Sequence, residues 1–342
     1  MLILDDMSGG KINVYNDPMA RNLCEYIGNV IIHDDYFVNF ADCGGKCRPK
    51  GEVIEKMGIM LNSEELISFG KAMSKYSLNR TYVFQAPYQE VRAASTPVPT
   101  TETPVVVKKS VWMEGHQIAV FRESTDTSKG LFLATKGGTN AEPGNHNDVG
   151  ALIIFSDGKP IAVDPGIGSY NNNYFVNDYR YLRWFTNSNA HSCPEINGRQ
   201  QIPGTARCSK NEVCDVPSRR VSMNIGDAYP DEAGILELVR TCHLEDGKIT
   251  VSDALRLKEE GEYIFHLNLV NEPKIGEGRV DIGEGRTLVF DPEVYTPSYG
   301  RVENKCLPYD DLNIKNCWGV DCLWDLKLTA RAKDLVSVFT II

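Results

Sequence analysis

From residue 106 to the C-terminus the chain is written with a period of two. Short β-branched and aromatic runs recur, beginning at Val105 to Val107 and including Trp112 to Phe121, Gly130 to Thr135, Ala151 to Phe155, Ile161 to Val163, Ile249 to Val251, Tyr263 to Leu269, Thr287 to Phe290 and Leu335 to Ile341. Gly, Asp and Asn punctuate them. Alternation of this kind sends successive side chains to opposite faces of a strand, and frequent turn residues join such strands antiparallel. No repeat of fixed length is visible, which argues against a propeller or a solenoid. The expected architecture is a large antiparallel β-sandwich.

The first 80 residues read differently. Asn16-Asp17-Pro18 is a cap followed by a first-turn proline, and Met19, Leu23, Ile27, Val30 and Ile31 follow at helical spacing. Ser63-Glu64-Glu65 opens a second helix that carries Leu66, Ile67, Phe69 and Met73 to about Lys75. Ala94 to Thr103 is rich in Pro and Thr, the composition of a connector. The fold class is therefore α+β: a helical segment over 1–80, a linker or loop over 81–105, and an antiparallel sandwich over 106–342.

A formal net charge of −10 repels polyphosphates and anionic lipid, and no basic patch offsets it, so neither nucleic acid nor a membrane is an expected partner. No apolar run approaches the roughly 18 residues a bilayer requires. Met1-Leu2-Ile3-Leu4-Asp5-Asp6 lacks a basic export region. Ten cysteines in 342 residues are too few for a disulfide scaffold and read as reduced thiols. Cys43/Cys47 and Cys317/Cys322 lack the spacing of a structural zinc site.

Chemistry concentrates in three short stretches: Asn145-His146-Asn147-Asp148, Val163-Asp164-Pro165-Gly166 and Asn189-Ala190-His191-Ser192. A hairpin turn at Ser156-Asp157-Gly158 pairs Asp164 roughly with Ala151 and leaves it at an open end of the sheet. His146 lies about 16 Å from Ala151 if the chain between them is extended, so it meets Asp164 only if the Gly144 to Gly150 loop folds back. His191 enters from a loop of turn formers. Two imidazoles and a carboxylate suit Zn²⁺ better than the oxygen-seeking Ca²⁺ or Mg²⁺. The alternative is three unrelated loop residues.

The stretch Gly130 to Gly204 resembles the central β-domain of the heparinase II/III family of polysaccharide lyases. The likeness rests on Lys136-Gly137-Gly138, Asn145 to Gly150, Asp157 to Pro160, Val163 to Gly168 and Ile196-Asn197-Gly198. Tyr36 to Asp42 is similar to the last part of that family's (α/α) toroid, and Asn316 to Gly319 to its final strands. The resemblance implies a small helical remnant of the toroid ahead of the sandwich. It also implies a metal, usually zinc, on His146, Asp164 and His191, and β-elimination on uronic-acid glycans of heparan sulfate or alginate type. In that family a further β-domain histidine lies two residues before the first metal histidine. Here that position is Gly144, and Thr139, where relatives often carry histidine, cannot shuttle a proton either. The family's catalytic Asn and Tyr are expected upstream of this segment, so no catalytic residue is assigned, and Tyr15, Tyr26 and Tyr36 inherit no role.

Near these stretches Tyr170, Tyr174, Tyr179, Tyr181 and Trp184 gather with Arg180 and Arg183, a mixture that suits sugar rings and carboxylates. Asn145 and Arg183 are the expected substrate contacts, against the alternatives of loop capping and an ordinary ion pair. His33, His116, His243 and His266 sit in plain helix or strand contexts. Three readings follow: a lyase acting on acidic polysaccharide or oligosaccharide, incomplete without a toroid segment or a second copy; a non-catalytic, metal-stabilised acidic-glycan binder; and a fragment with no ligand. Thiols and the missing export region point to the cytoplasm, the family likeness to the periplasm.

Overall fold

A computed structural model describes residues 5, 7–79, 105, 107–303 and 314–342. The chain divides into two compact units, one of residues 1–37, 47–108 and 125–128, the other of 38–46, 109–124 and 129–342. Almost all of the expected linker over 81–105 lies outside the described residues.

The first unit is helical. Its helix Pro18–Val30 (α1) starts where expected, Asp17 accepting a hydrogen bond from the Met19 amide. Its buried stripe is Ala20, Cys24 and Val30, while Met19 and Leu23 are exposed, so the inward face is rotated from the expected one. Small side chains and Gly28 lie on the packed side, where a Cβ at Gly28 would stand 3.7 Å from Leu66. Gly51–Leu61 (α2) and Glu64–Met73 (α3) form a helical hairpin around Asn62 in the left-handed conformation and Ser63, which caps α3 by accepting from Leu66. A Cβ at Gly51 would fall 2.3 Å from the Gly70 carbonyl, and one at Gly70 2.3 Å from the Glu55 amide. Only glycine allows these backbones to approach so closely.

The second unit is built on one continuous antiparallel sheet of 15 strands, folded back as a sandwich around a single core. Its spine is a pair of long strands, Lys248–Leu269 (β14) and Cys322–Ile341 (β19), paired antiparallel from Ile249 opposite Ile341 to Leu269 opposite Trp324. The sequence divides the first of these into separate runs at the charged segment Lys258 to Glu260. The structure carries the strand through, with a register shift between Arg256 and Gly261 that changes its neighbours. Ahead of the shift β14 pairs with Ile235–Glu245 (β13); beyond it, with Glu195–Ile196 (β9) and Lys159–Ala162 (β8).

Strand β8 continues into the inner strands Leu152–Ser156 (β7), Leu131–Lys136 (β5), Ile118–Arg122 (β4) and Ser110–Met113 (β3). The expected run at Val105 to Val107 contributes no strand at its described residues, 105 and 107. Strands β4, β5 and β7 are buried along their whole length, and each Leu, Ile or Phe enclosed there contributes about 1.5–3 kcal/mol. Asp157 and Gly158 have φ of 49° and 73°, the two-residue turn expected between β7 and β8. A bulge then places Ala162 opposite Ile154, one residue off a regular ladder, so Asp164 lies beyond the strand end in line with Leu152 rather than Ala151. Among the described residues, Cys24, Cys193, Cys208, Cys214, Cys242, Cys317 and Cys322 are free thiols.

Candidate metal centre

Three loops leave this sheet and converge. The first runs from Thr139–Asn140 (β6) to β7 and turns back on itself through Gly144 and Gly150, at φ 71° and 90°. Those values are strained for any side chain with a Cβ. The returning loop is stitched down: Asn147 donates to the Gln201 carbonyl at 3.1 Å, Gln201 donates to the Val149 carbonyl at 2.7 Å, and Asn140 accepts from the Asp148 amide at 3.2 Å. Beside them Lys136 and Asp148 form a fully buried ion pair. Burial alone would raise the Asp148 carboxyl, but Lys136 and the neighbouring histidines hold it below its ordinary range.

The second loop follows β8. Its Val163 amide bonds to the Asn268 carbonyl at 2.9 Å, and Asp164 Oδ1 accepts from the Gly166 amide at 3.0 Å. The third is the tight turn Ser188–His191, closed by Ser192 at φ 58°.

His146, Asp164 and His191 come together with their ligand atoms all within 4.8 Å of one another, and all three residues are buried. The imidazole rings lie 5.0 Å apart. His191 sets Nδ1 2.7 Å from Asp164 Oδ2 and Nε2 2.9 Å from the Phe185 carbonyl. Burial depresses its proton affinity, yet Asp164 outweighs burial and raises it above the usual histidine range. His146 behaves oppositely: burial, with the charge of His191, holds it below that range despite Asp42.

His146 Nε2 lies 3.1 Å from Asp42 Oδ1, whereas its buried Nδ1 reaches no hydrogen-bond partner among the described residues. Both rings thus aim Nε2 at an oxygen acceptor, which fixes the proton there and leaves Nδ1 as the atom available to an ion. A neutral imidazole with a spare lone pair, a second imidazole and a carboxylate are the donors a divalent zinc-like cation takes. The residues fit such an ion.

Asp42 was not singled out by the sequence, and it organises this wall. Tyr174 donates to its Oδ1 at 2.6 Å and Arg180 to its Oδ2 at 3.1 Å. Burial would raise the Asp42 carboxyl, but the hydrogen bonds from His146 and Tyr174 and the charge of Arg180 keep it low. A Cβ at Gly144 would stand 3.1 Å from Asp42 Oδ2, so Asp42 borders the space a larger residue at that position would need.

Of the two expected substrate contacts, Asn145 is 5% exposed and turned inward. Its amide donates to the His146 carbonyl, its Oδ1 accepts from Tyr181, and its carbonyl accepts from Arg180. Those bonds tie the loop. Arg183 is buried against Tyr174, its guanidinium 4.5 Å from the ring centre, with Arg180 also over that ring at 5.1 Å. Tyr170 and Tyr179 remain exposed.

Deeper in the unit, Arg240 is fully buried and donates through Nη1 to both the Gly150 and the Ser192 carbonyls, at 2.7 and 2.9 Å. Asp253 accepts from its Nε and Nη2, and Tyr263 donates to the same carboxylate. One guanidinium therefore joins the end of the His146 loop to the residue after His191. His266, for which the sequence suggested no partner, pairs through Nδ1 with Asp325 at 2.9 Å.

A profile of the heparinase II/III-like C-terminal family matches residues 111–299, more than half of the chain. The chain belongs to that family. The region matched contains all three convergent residues of this heparinase II/III-like chain. No curated protein matches the sequence. Among solved structures, a heparinase III shares the fold at a TM-score of 0.62 and 12% identity, over 98% of this chain and 50% of that one. The heparan sulfate lyase HepC from Pedobacter heparinus does so at 0.61 and 13%, over 94% of this chain and 46% of its own. The heparinase II/III-like chain thus spans about half the length of the structures it matches. At these identities the likeness is one of fold, and it includes the helical segment followed by an antiparallel sandwich.

Proposed function

We propose that this chain is the metal-carrying portion of a lyase for uronic-acid glycans of heparan sulfate or alginate type. The observation that carries the reading is the approach of His146, Asp164 and His191 to within 4.8 Å, with His146 Nδ1 left without a hydrogen-bond partner among the described residues. His146, Asp164 and His191 would hold the ion, with Asp42 and the Phe185 carbonyl fixing the two imidazoles. Bound zinc would supply concentrated positive charge and hold the three loops together.

In β-elimination the C5 proton leaves as the C4–O bond breaks, a C4–C5 double bond forms and the departing oxygen takes a proton. The uronate carboxylate must be neutralised for that proton to become removable, and a base and an acid must stand at hand. Arg183, with Arg180 behind Tyr174, provides the positive wall that an acidic sugar needs on a chain of net charge −10. We assign no base to this chain, and expect its turnover by itself to be impaired but measurable. Support for that expectation is Gly144, which brings no imidazole and is bordered by Asp42.

The same observation favours a second reading, a non-catalytic domain that binds acidic glycan around a structural metal. Two measurements decide. Elemental analysis of purified protein should find close to one equivalent of zinc, and none in His191→Ala; a metal-free wild type removes the metal reading. Ultraviolet absorbance of the conjugated uronate, followed on heparan sulfate and on alginate, then separates lyase from binder. A rise supports the first reading, while retention of the glycan without a rise supports the second.

A further inference from the structure

Arg183 lines a pocket of about 360 Å³ together with Asn171, Asn172, Asn173 and Tyr179. The residue is 2% exposed, and only Nη2 is spent, on Asn171 Oδ1 at 3.2 Å. Its Nε and Nη1 are buried, and among the described residues they meet no acceptor and no carboxylate pairs with the guanidinium. The rings of Tyr174 and Phe185 lie 4.5 and 5.9 Å from the guanidinium centre. They hold the plane by cation–π attraction but accept no N–H bond in the usual sense. Arg180, three residues earlier, differs: it is bonded to the Asn145 carbonyl and to Asp42.

An enclosed guanidinium with two unspent donors is costly to fold around unless something meets it. The planar fork of N–H groups matches a carboxylate with two parallel hydrogen bonds. The three consecutive asparagines offer amides of both polarities beside it, suited to sugar hydroxyls. Tyr179 is 42% exposed on the same wall, with a ring face for a pyranose. We propose that this pocket is a subsite for the carboxylate of a uronic-acid residue, with Arg183 as its principal donor. The inference rests on the glycan reading above only for the choice of a sugar as carrier of the anion.

The test is titration calorimetry on the full chain with sodium glucuronate, glucose as the neutral control and glucosamine 6-sulfate as the rival oxyanion. Glucuronate should bind saturably and glucose should not. Arg183→Met should weaken glucuronate at least about tenfold, and Arg183→Lys, a point charge without the fork, by less. Asn171→Asp places a carboxylate beside the guanidinium, and should weaken glucuronate by about as much while melting no lower than wild type. That variant carries the test if Arg183→Met fails to fold. Absence of saturable glucuronate binding, or equal affinity in wild type and Asn171→Asp, overturns the proposal, and preference for the sulfated sugar overturns the carboxylate assignment. Zinc content should be unchanged in Asn171→Asp. A chain without zinc or lyase activity that still binds glucuronate through Arg183 would sink the proposed function and leave the subsite standing.

Discussion

His146 and Asp42 stand 104 residues apart and meet through Nε2 and Oδ1 at 3.1 Å, which leaves Nδ1 as the ring nitrogen without a hydrogen-bond partner among the described residues. Asp42→Asn keeps the size of the side chain but accepts less strongly, so the imidazole loses both basicity and orientation. Zinc affinity, measured against a competing chelator, should fall about 10- to 100-fold with the fold retained. An unchanged affinity would separate Asp42 from the site.

His191→Ala removes one of the three proposed metal ligands and the bond to the Phe185 carbonyl. Wild type should gain about 2.7 kcal/mol of stability when free zinc stands at a hundred times its dissociation constant, seen as a rise in melting temperature with metal concentration. In the variant that dependence should vanish. A melting temperature that still climbs with zinc would mean the ion binds elsewhere.

Arg240 and Asp253 are both fully buried, so removing one partner leaves an enclosed charge. Asp253→Ala should cost about 3–5 kcal/mol in urea denaturation, and a double replacement Arg240→Met with Asp253→Leu distinctly less. Because Arg240 also binds the Gly150 and Ser192 carbonyls, the double variant should hold zinc more weakly even if it melts as wild type does.

Cys242 provides the pH dependence. Burial, against a smaller opposing pull from Arg240, pushes its thiol from 9.0 up to about 12. The unfolded chain therefore releases this proton first as the solution becomes alkaline. Its contribution to stability is complete below pH 9.0 and is lost towards pH 12, at a limiting slope of about 1.4 kcal/mol per pH unit. Denaturation midpoints in Cys242→Ala should fall less steeply across that window than in wild type.

His146, Asp164 and His191 were legible because each sits among turn formers, where a polar residue has no packing reason to be. Asp42 was not: nothing in its neighbourhood indicates that it bonds to a loop 104 residues away. Arg240 and Asp253 did carry a signal. Arg240 falls in the same phase of its strand as the buried Leu238, Cys242 and Leu244, and Asp253 in that of Val251 and Leu255, so both alternate inward. Charges in the inward phase of two paired strands imply an ion pair. The bulge that moved Asp164 relative to Ala151 left no such trace, since one extra residue changes register without changing composition. In α1 the apolar spacing was real, but the packed side was set by small residues, which hydrophobicity alone ranks low.

The double grip of Arg240 on Gly150 and Ser192 makes the sandwich interior the ruler that sets the gap between the two histidine loops, independently of the ion proposed to lie there. Exchange of one divalent ion for another should accordingly change how well the cradle is filled and leave its width alone. Replacements inside the strands, far from either imidazole, are then where preference among ions would be retuned.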